Sequence, residues 1–123
     1  MTVQFISGHG DVTAPEFFEH YVPLIDKAVK NGDSFVVGDF HGVDMKAQTY
    51  LFFLEYRDVK VYHMFIKPRY NCGGFKAVGG FTSDEDRDSA MTRDSDVDIA
   101  WVRKGKETSC TQQNIDRRKR NSS

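Results

Sequence analysis

The chain has 123 residues, 39% of them apolar and 28% charged, with a formal net charge of −1. That is one domain by length and a core-forming balance rather than a disordered one. The longest apolar run, Tyr50 to Leu54, is far short of the about 20 residues of a membrane helix, and no global basic field calls for nucleic acid.

Cys72 and Cys110 fit no zinc-ligand spacing and no disulfide framework. Polar Ser7, His9 and Asp11 interrupt the N-terminus too early for a signal peptide. The expectation is a cytoplasmic protein with two reduced thiols and no membrane or stable nucleic-acid partner.

Val3 to Ile6 reads as a first strand ending in the turn formers Ser7-Gly8-His9-Gly10-Asp11. Thr13-Ala14-Pro15-Glu16 has the spacing of a capping box with proline in the first turn. Phe17, Tyr21, Leu24, Ile25, Ala28 and Val29 continue at helical spacing to Asn31-Gly32-Asp33, with Pro23 as a kink point. Ser34 to Asp39 is a second strand whose near-continuous apolar run suits a sheet covered on both faces. Val43-Asp44 opens a second helix through Met45, Ala47, Tyr50, Leu51 and Leu54. Val59 to Phe65 is a third strand.

Lys67 to Thr82, with four glycines, Pro68 and Arg69, reads as a long loop, a feature that small domains use for function or leave disordered. Ser83-Asp84-Glu85-Asp86 begins a third helix, its acids where the dipole favours them. Val97 to Val102 is a fourth strand, and Ser109 to Asn121 a last, polar helix ending in Arg117-Arg118-Lys119-Arg120. Alternating strands and helices predict an α/β fold: a single Rossmann-like domain spanning residues 1–123. Its four-stranded parallel sheet, ordered 3-2-1-4, has helices on both faces.

Ligands of open parallel sheets bind beyond the carboxyl ends of the strands, where strand order switches. Four loops meet that edge: Ser7 to Thr13, Gly38 to Asp44, Met64 to Thr82 and Arg103 to Gln112. The start of the last helix offers free N–H groups, the Ser109 and Thr111 hydroxyls, and Lys104 and Lys106 nearby, a setting for an anion such as phosphate; N-capping by Thr108 or Ser109 is the competing explanation. Gly8 and Gly42 allow close backbone approach at the same edge. Asp44 is either an acceptor for sugar hydroxyls or a helix N-cap. The loop from Gly38 to Asp44 is neither a P-loop nor a dinucleotide fingerprint, and no cofactor is called for. His9, Asp11, Asp39, His41 and Asp44 form a metal cluster only if the first two strands are neighbours, although their spacing matches no ligand signature.

Four stretches carry a resemblance. They are Ser7-Gly8-His9-Gly10, the loop Gly38-Asp39 to Gly42-Val43-Asp44, the strand Ser95-Asp96-Val97-Asp98-Ile99-Ala100-Trp101, and the helix start Thr108-Ser109-Cys110-Thr111-Gln112-Gln113-Asn114. Together they resemble the SLOG superfamily, similar to DprA and LOG proteins, nucleoside 2-deoxyribosyltransferases and nucleoside-monophosphate N-glycosidases. The resemblance implies a nucleotide or nucleoside-derived ligand at the carboxyl edge, with or without cleavage of its N-glycosidic bond, and a homodimer or higher homo-oligomer.

It places Asp88 at the sugar-contacting aspartate and Gln113 where those hydrolases carry a catalytic glutamate, which an amide does not replace. Either another carboxylate (Asp44, Asp88 or Glu107) serves, with His9 or His41 handling the leaving base, or the protein is a non-catalytic nucleotide sensor. The phosphate is expected on Ser109, Thr111 and Gln112 with Ser7 and Gly8, Gln113 remaining a hydrogen-bonding group. The sugar is expected at Asp44 and Asp88, and the base against Phe40, Phe75 or Tyr70. A further alternative is a metal-dependent hydrolase using His9, Asp11 and His41.

Overall fold

The computed structural model describes residues 2–106 and 109–122. Five parallel strands form one sheet in the order β4-β3-β2-β1-β5. They are β1 Val3–Ser7, β2 Ser34–Val37, β3 Val59–Met64, β4 Lys76–Phe81 and β5 Val97–Ala100. The expected 3-2-1-4 order is present in β3-β2-β1-β5, and β4 adds an edge. The expected four strands are therefore five: β4 lies within the stretch read as a loop. Its sequence, with paired Gly79 and Gly80, has no apolar alternation, because an edge strand is paired on one side and mostly exposed. Gly79 lies against the His63 ring, where a Cβ would overlap it.

Helices cover both faces. On one lie α1 Ala14–His20, α2 Val22–Lys30 and α3 Val43–Phe53; on the other lie α4 Asp84–Arg93 and α5 Cys110–Ser122. The strand period of two sorts the core. Ile6, Phe35, Val37, Val59, Val61 and Ile99 pack with Phe17, Tyr21, Ile25, Ala47 and Leu51 on the first face. Phe5, Val36 and Tyr62 pack with Ala90 and Met91 on the second.

The capping box forms as its spacing predicts: Thr13 Oγ1 accepts from the Glu16 N–H at 3.2 Å, and Glu16 accepts from the Thr13 N–H at 2.9 Å. The run expected as one kinked helix divides at Tyr21, and Pro23, which has no N–H to give, sits in the first turn of α2. No helix among the described residues is long and apolar enough to cross a membrane. Cys72 and Cys110 are free and exposed.

β1 pairs with β2 on one side and β5 on the other. The chain builds outward through β2, β3 and β4, then crosses by α4 to β5 on the far side of β1. The switch in strand order therefore falls between β1 and β5, and the two crossovers leave opposite faces there.

Candidate functional site

The ends of β1 and β5 are tied by one buried side chain. The Tyr21 hydroxyl donates to the Ser7 carbonyl at 2.8 Å and accepts from the Trp101 N–H at 3.0 Å. Burial holds this phenol far above its ordinary pKa, so it stays a neutral donor. Gly8 is required beside it, since a Cβ there would overlap both the Tyr21 hydroxyl and Val43. Gly42, at φ 80°, presses against the His9 carbonyl and Gly10, closing the β2–α3 turn onto the β1–α1 turn. Its close approach is to the protein's own backbone, and it does not line the cleft.

A cleft of about 290 Å³ opens at this edge. The turn after β1 forms one wall with Ser7, Gly8, His9 and Gly10, and the start of α5 forms another with Ser109, Cys110 and Thr111. Asp44 of α3 and Asp84, Arg87, Asp88 and Met91 of α4 line the rest, with Phe5, Phe40 and Asn114. Gly8, Asp44 and Ser109, far apart in sequence, thus share one hollow.

Its acidic side is organised by Arg87, 6% exposed. One terminal nitrogen donates to Asp39 at 3.0 Å and lies 3.2 Å from Asp84; the other donates to Asp88 Oδ1 at 3.0 Å. Asp39 also accepts from the Arg69 N–H at 2.7 Å and the Arg69 guanidinium at 2.8 Å. Burial alone would push Asp39 up, but these bonds outweigh it and hold the carboxylate below its usual range. Asp88 Oδ2 accepts from Asn114 Nδ2 at 3.3 Å, and Asn114 in turn accepts from Arg117 at 2.6 Å. Burial raises the Asp88 pKa against the pull of Arg87 and Asn114. Asp44 accepts from the Phe40 N–H at 3.1 Å and is not an N-cap: Gly42 holds that position. Enclosure pushes Asp44 up to about 7, with Arg87 opposing.

At the other end, α5 begins with Ser109 Oγ accepting from the Gln112 N–H at 3.2 Å. Ser109 is therefore a capping residue as well as a cleft wall. The amides of Cys110 and Thr111, in the first turn, have no intrahelical acceptor. Across from them, the Ser7 hydroxyl is buried with no hydrogen-bond partner among the described residues. A buried hydroxyl left unpaired costs about 1–3 kcal/mol, and a ligand oxygen would satisfy it.

Several expected residues stand elsewhere. Gln113 is exposed, and Gln112 donates to Asp116 at 2.9 Å instead of reaching the cleft. The cleft face of α5 runs from Thr111 to Asn114 at i, i+3, which turns Gln113 aside. Phe75 is 4% exposed in the core, and the Tyr70 hydroxyl meets Thr49 at 3.0 Å; of the three proposed stacking rings only Phe40 reaches the cleft. His9 lines it, but its Nε2 accepts from the Arg103 N–H at 2.9 Å, and burial, with Arg103, lowers its pKa. A ring nitrogen committed to the backbone is a support, not a free base. Asp11 is held by Arg103 at 3.0 Å, His41 packs on Phe40, and no three His, Cys, Asp or Glu side chains among the described residues converge as metal ligands. The metal cluster of His9, Asp11 and His41 therefore does not assemble. Thr108 and Glu107 lie outside the described residues.

From sequence alone Arg87 reads as a partner for a phosphate or for one of the acids that open its helix, with a surface ion pair as the default, and Asn114 carries no role. Both were legible as helical stripes: Asp84, Arg87, Asp88 and Met91 repeat at three and four residues.

Fold and site together define a parallel α/β-sheet protein with an acidic cleft at the strand carboxyl ends, closed at one end by a helix N-terminus. Comparison of the chain with protein-family models, curated proteins and solved structures finds no match.

Proposed function

We propose that the cleft binds a nucleotide or nucleoside-derived ligand, in keeping with the SLOG-like motifs, and that Asp44 and Asp88 act on its N-glycosidic bond. The observation that carries this is the pairing of two buried carboxyl groups in one cleft, opposite an unpartnered serine hydroxyl and a helix N-terminus. The volume lies at the small end of ligand sites and suits one nucleoside or mononucleotide. A phosphate would accept from the Cys110 and Thr111 amides and Ser7 Oγ.

Asp44, able to keep its proton near neutral pH, is the general acid for the departing base. Asp88, oriented by Arg87 and Asn114, is the carboxylate beside the oxocarbenium-like sugar. Water then adds to the anomeric carbon as the carbon–nitrogen bond breaks, giving free base and sugar hydroxyl. A second reading, non-catalytic sensing, is favoured by one observation: both Asp88 oxygens already hold protein partners.

Incubation with a panel of nucleosides and nucleoside monophosphates separates the two. Free base released by the protein, and lost in Asp88→Asn and Asp44→Asn, supports hydrolysis. A rise in Tm without base release supports sensing; saturation at a hundred times Kd gives about 2.7 kcal/mol. Neither effect across the panel overturns both. Asp88→Asn is preferred to Asp88→Ala, which would strip Arg87 and Asn114 of a buried acceptor.

A further inference from the structure

Two polar atoms in the cleft wall have no hydrogen-bond partner among the described residues, and they differ in kind. Ser7 Oγ, on a residue 6% exposed, can donate. Asp44, 8% exposed, accepts from the Phe40 N–H through Oδ2 at 3.1 Å, while its Oδ1 accepts nothing. The lining is also unequal in charge. Asp44, Asp84 and Asp88 face the single guanidinium of Arg87, and the lowered pKa of His9 leaves its ring neutral at pH 7. Arg69 rests against the Phe40 ring, 5.3 Å from its centre, and Arg117 donates to Asn114; neither lines the cleft. At the other end stand the free amides of Cys110 and Thr111, at the positive end of a thirteen-residue helix. Lys106 is close enough to His9 to help lower its pKa. The hollow is therefore negative around Asp44 and positive at α5.

We propose that the ligand is zwitterionic: a nucleotide whose base is a cationic nitrogen heterocycle, such as a pyridinium, joined to the sugar through its charged nitrogen. The inference rests on the reading of the cleft as a nucleotide site acting at the N-glycosidic bond, and it names the base. The phosphate goes to Ser7 Oγ and the α5 amides. The charged nitrogen is then set beside Asp44 and Asp88, the two groups assigned to that bond, and its charge meets the unpartnered Asp44 Oδ1. A neutral base leaves an ionised Asp44 enclosed without a counter-charge, which costs free energy. A cationic ring offsets that cost and gains from the face of an aromatic ring such as Phe40.

The chemistry of the bond agrees. A neutral base needs a proton from Asp44 as it departs. A cationic base does not: the carbon–nitrogen bond breaks with its electron pair going to the ring nitrogen, and the heterocycle leaves neutral. Water adds its oxygen to the anomeric carbon, and the proton it sheds passes through Asp88 to solvent. The products are the neutral heterocycle, the sugar phosphate with a new hydroxyl, and one proton. Asp44 then stays a carboxylate throughout, stabilising first the cationic ring and then the positive charge that moves onto the sugar.

Isothermal titration calorimetry with nicotinamide mononucleotide and with its reduced form tests this, because the two share sugar, phosphate and ring and differ by a hydride and the ring's charge. At about pH 8, where Asp44 is ionised, the oxidised form should bind about tenfold tighter. Asp44→Asn should bring the two affinities within about twofold of each other. Asp84→Asn, at a side chain 52% exposed, should narrow the gap less, and it decides the matter if Asp44→Asn fails to fold. Nicotinamide released on incubation supports the same assignment. Equal affinity for the two forms, or tighter binding of uridine monophosphate than of nicotinamide mononucleotide, overturns the inference and leaves the nucleotide reading in place. Binding of none of the three overturns both.

Discussion

Asp44 is a carboxyl group enclosed by protein, with the Phe40 N–H and the nearby Arg87 guanidinium opposing the cost of its burial. Its pKa of about 7 in the folded chain exceeds the value near 3.9 of an unfolded aspartate. The folded state therefore binds the extra proton between those values, and this group's contribution to stability falls as pH rises from about 4 to about 7. Asp44→Asn keeps an acceptor for the Phe40 N–H but has no charge to bury. Its stability relative to wild type should grow across that window, by on the order of 4 kcal/mol at about pH 8. Urea melts of both proteins at several pH values would show it, and a difference that stays flat with pH would refute the assignment. Glu16 carries the opposite trend. Bonded to Arg103 and the Thr13 N–H, it sits at about 2, so its contribution is present above the unfolded value and fades only in acid.

At the scale of elements, α5 is the least conventional piece. Among its thirteen residues Ile115 is the main apolar one, so it docks through polar contacts. Arg118 reaches Asp98 of β5 at 3.0 Å and the Ser95 carbonyl at 3.1 Å, and Asn114 reaches Asp88 of α4. The Arg118 and Asp98 side chains are 18% and 13% exposed, which places the pair among enclosed rather than surface ion pairs. Removing one partner strands the other, so Arg118→Ala and Asp98→Ala should each cost about 2–4 kcal/mol. The double variant should cost clearly less than their sum; additive losses in chemical denaturation would show that the pair is not coupled. Because α5 carries the Ser109–Thr111 wall, the same contacts hold the cleft closed at that end.

The whole sheet has a gradient of protection built into its order. β1 and β2 are interior strands between helices on the two faces, whereas β4 is an edge with most residues exposed. Amide exchange should be slowest in β1 and β2, near the rate of global unfolding, and faster by orders of magnitude in β4. Equal protection of β4 and β1 would mean that another chain covers the edge.

The β–α alternation, the parallel sheet with helices on both faces, the Thr13–Glu16 cap and the β3-β2-β1-β5 order could all be read from the chain. The alternation and the cap follow from local periodicity and spacing, and the handedness of crossovers puts helices on both faces once the strand order is taken as the doubly wound one. The meeting of the loops containing Gly8, Asp44 and Ser109 followed from that topology alone. Tertiary packing decided the rest. β4 is a strand because β3 lends it partners, not because Gly79-Gly80 favours one. Gln113 turns outward and Asn114 inward because of how α5 is rotated against α4. His9 serves Arg103 because the β5 exit passes beside it. A side chain's type is written in the sequence, but its charge state and its aim depend on what the folded chain puts around it.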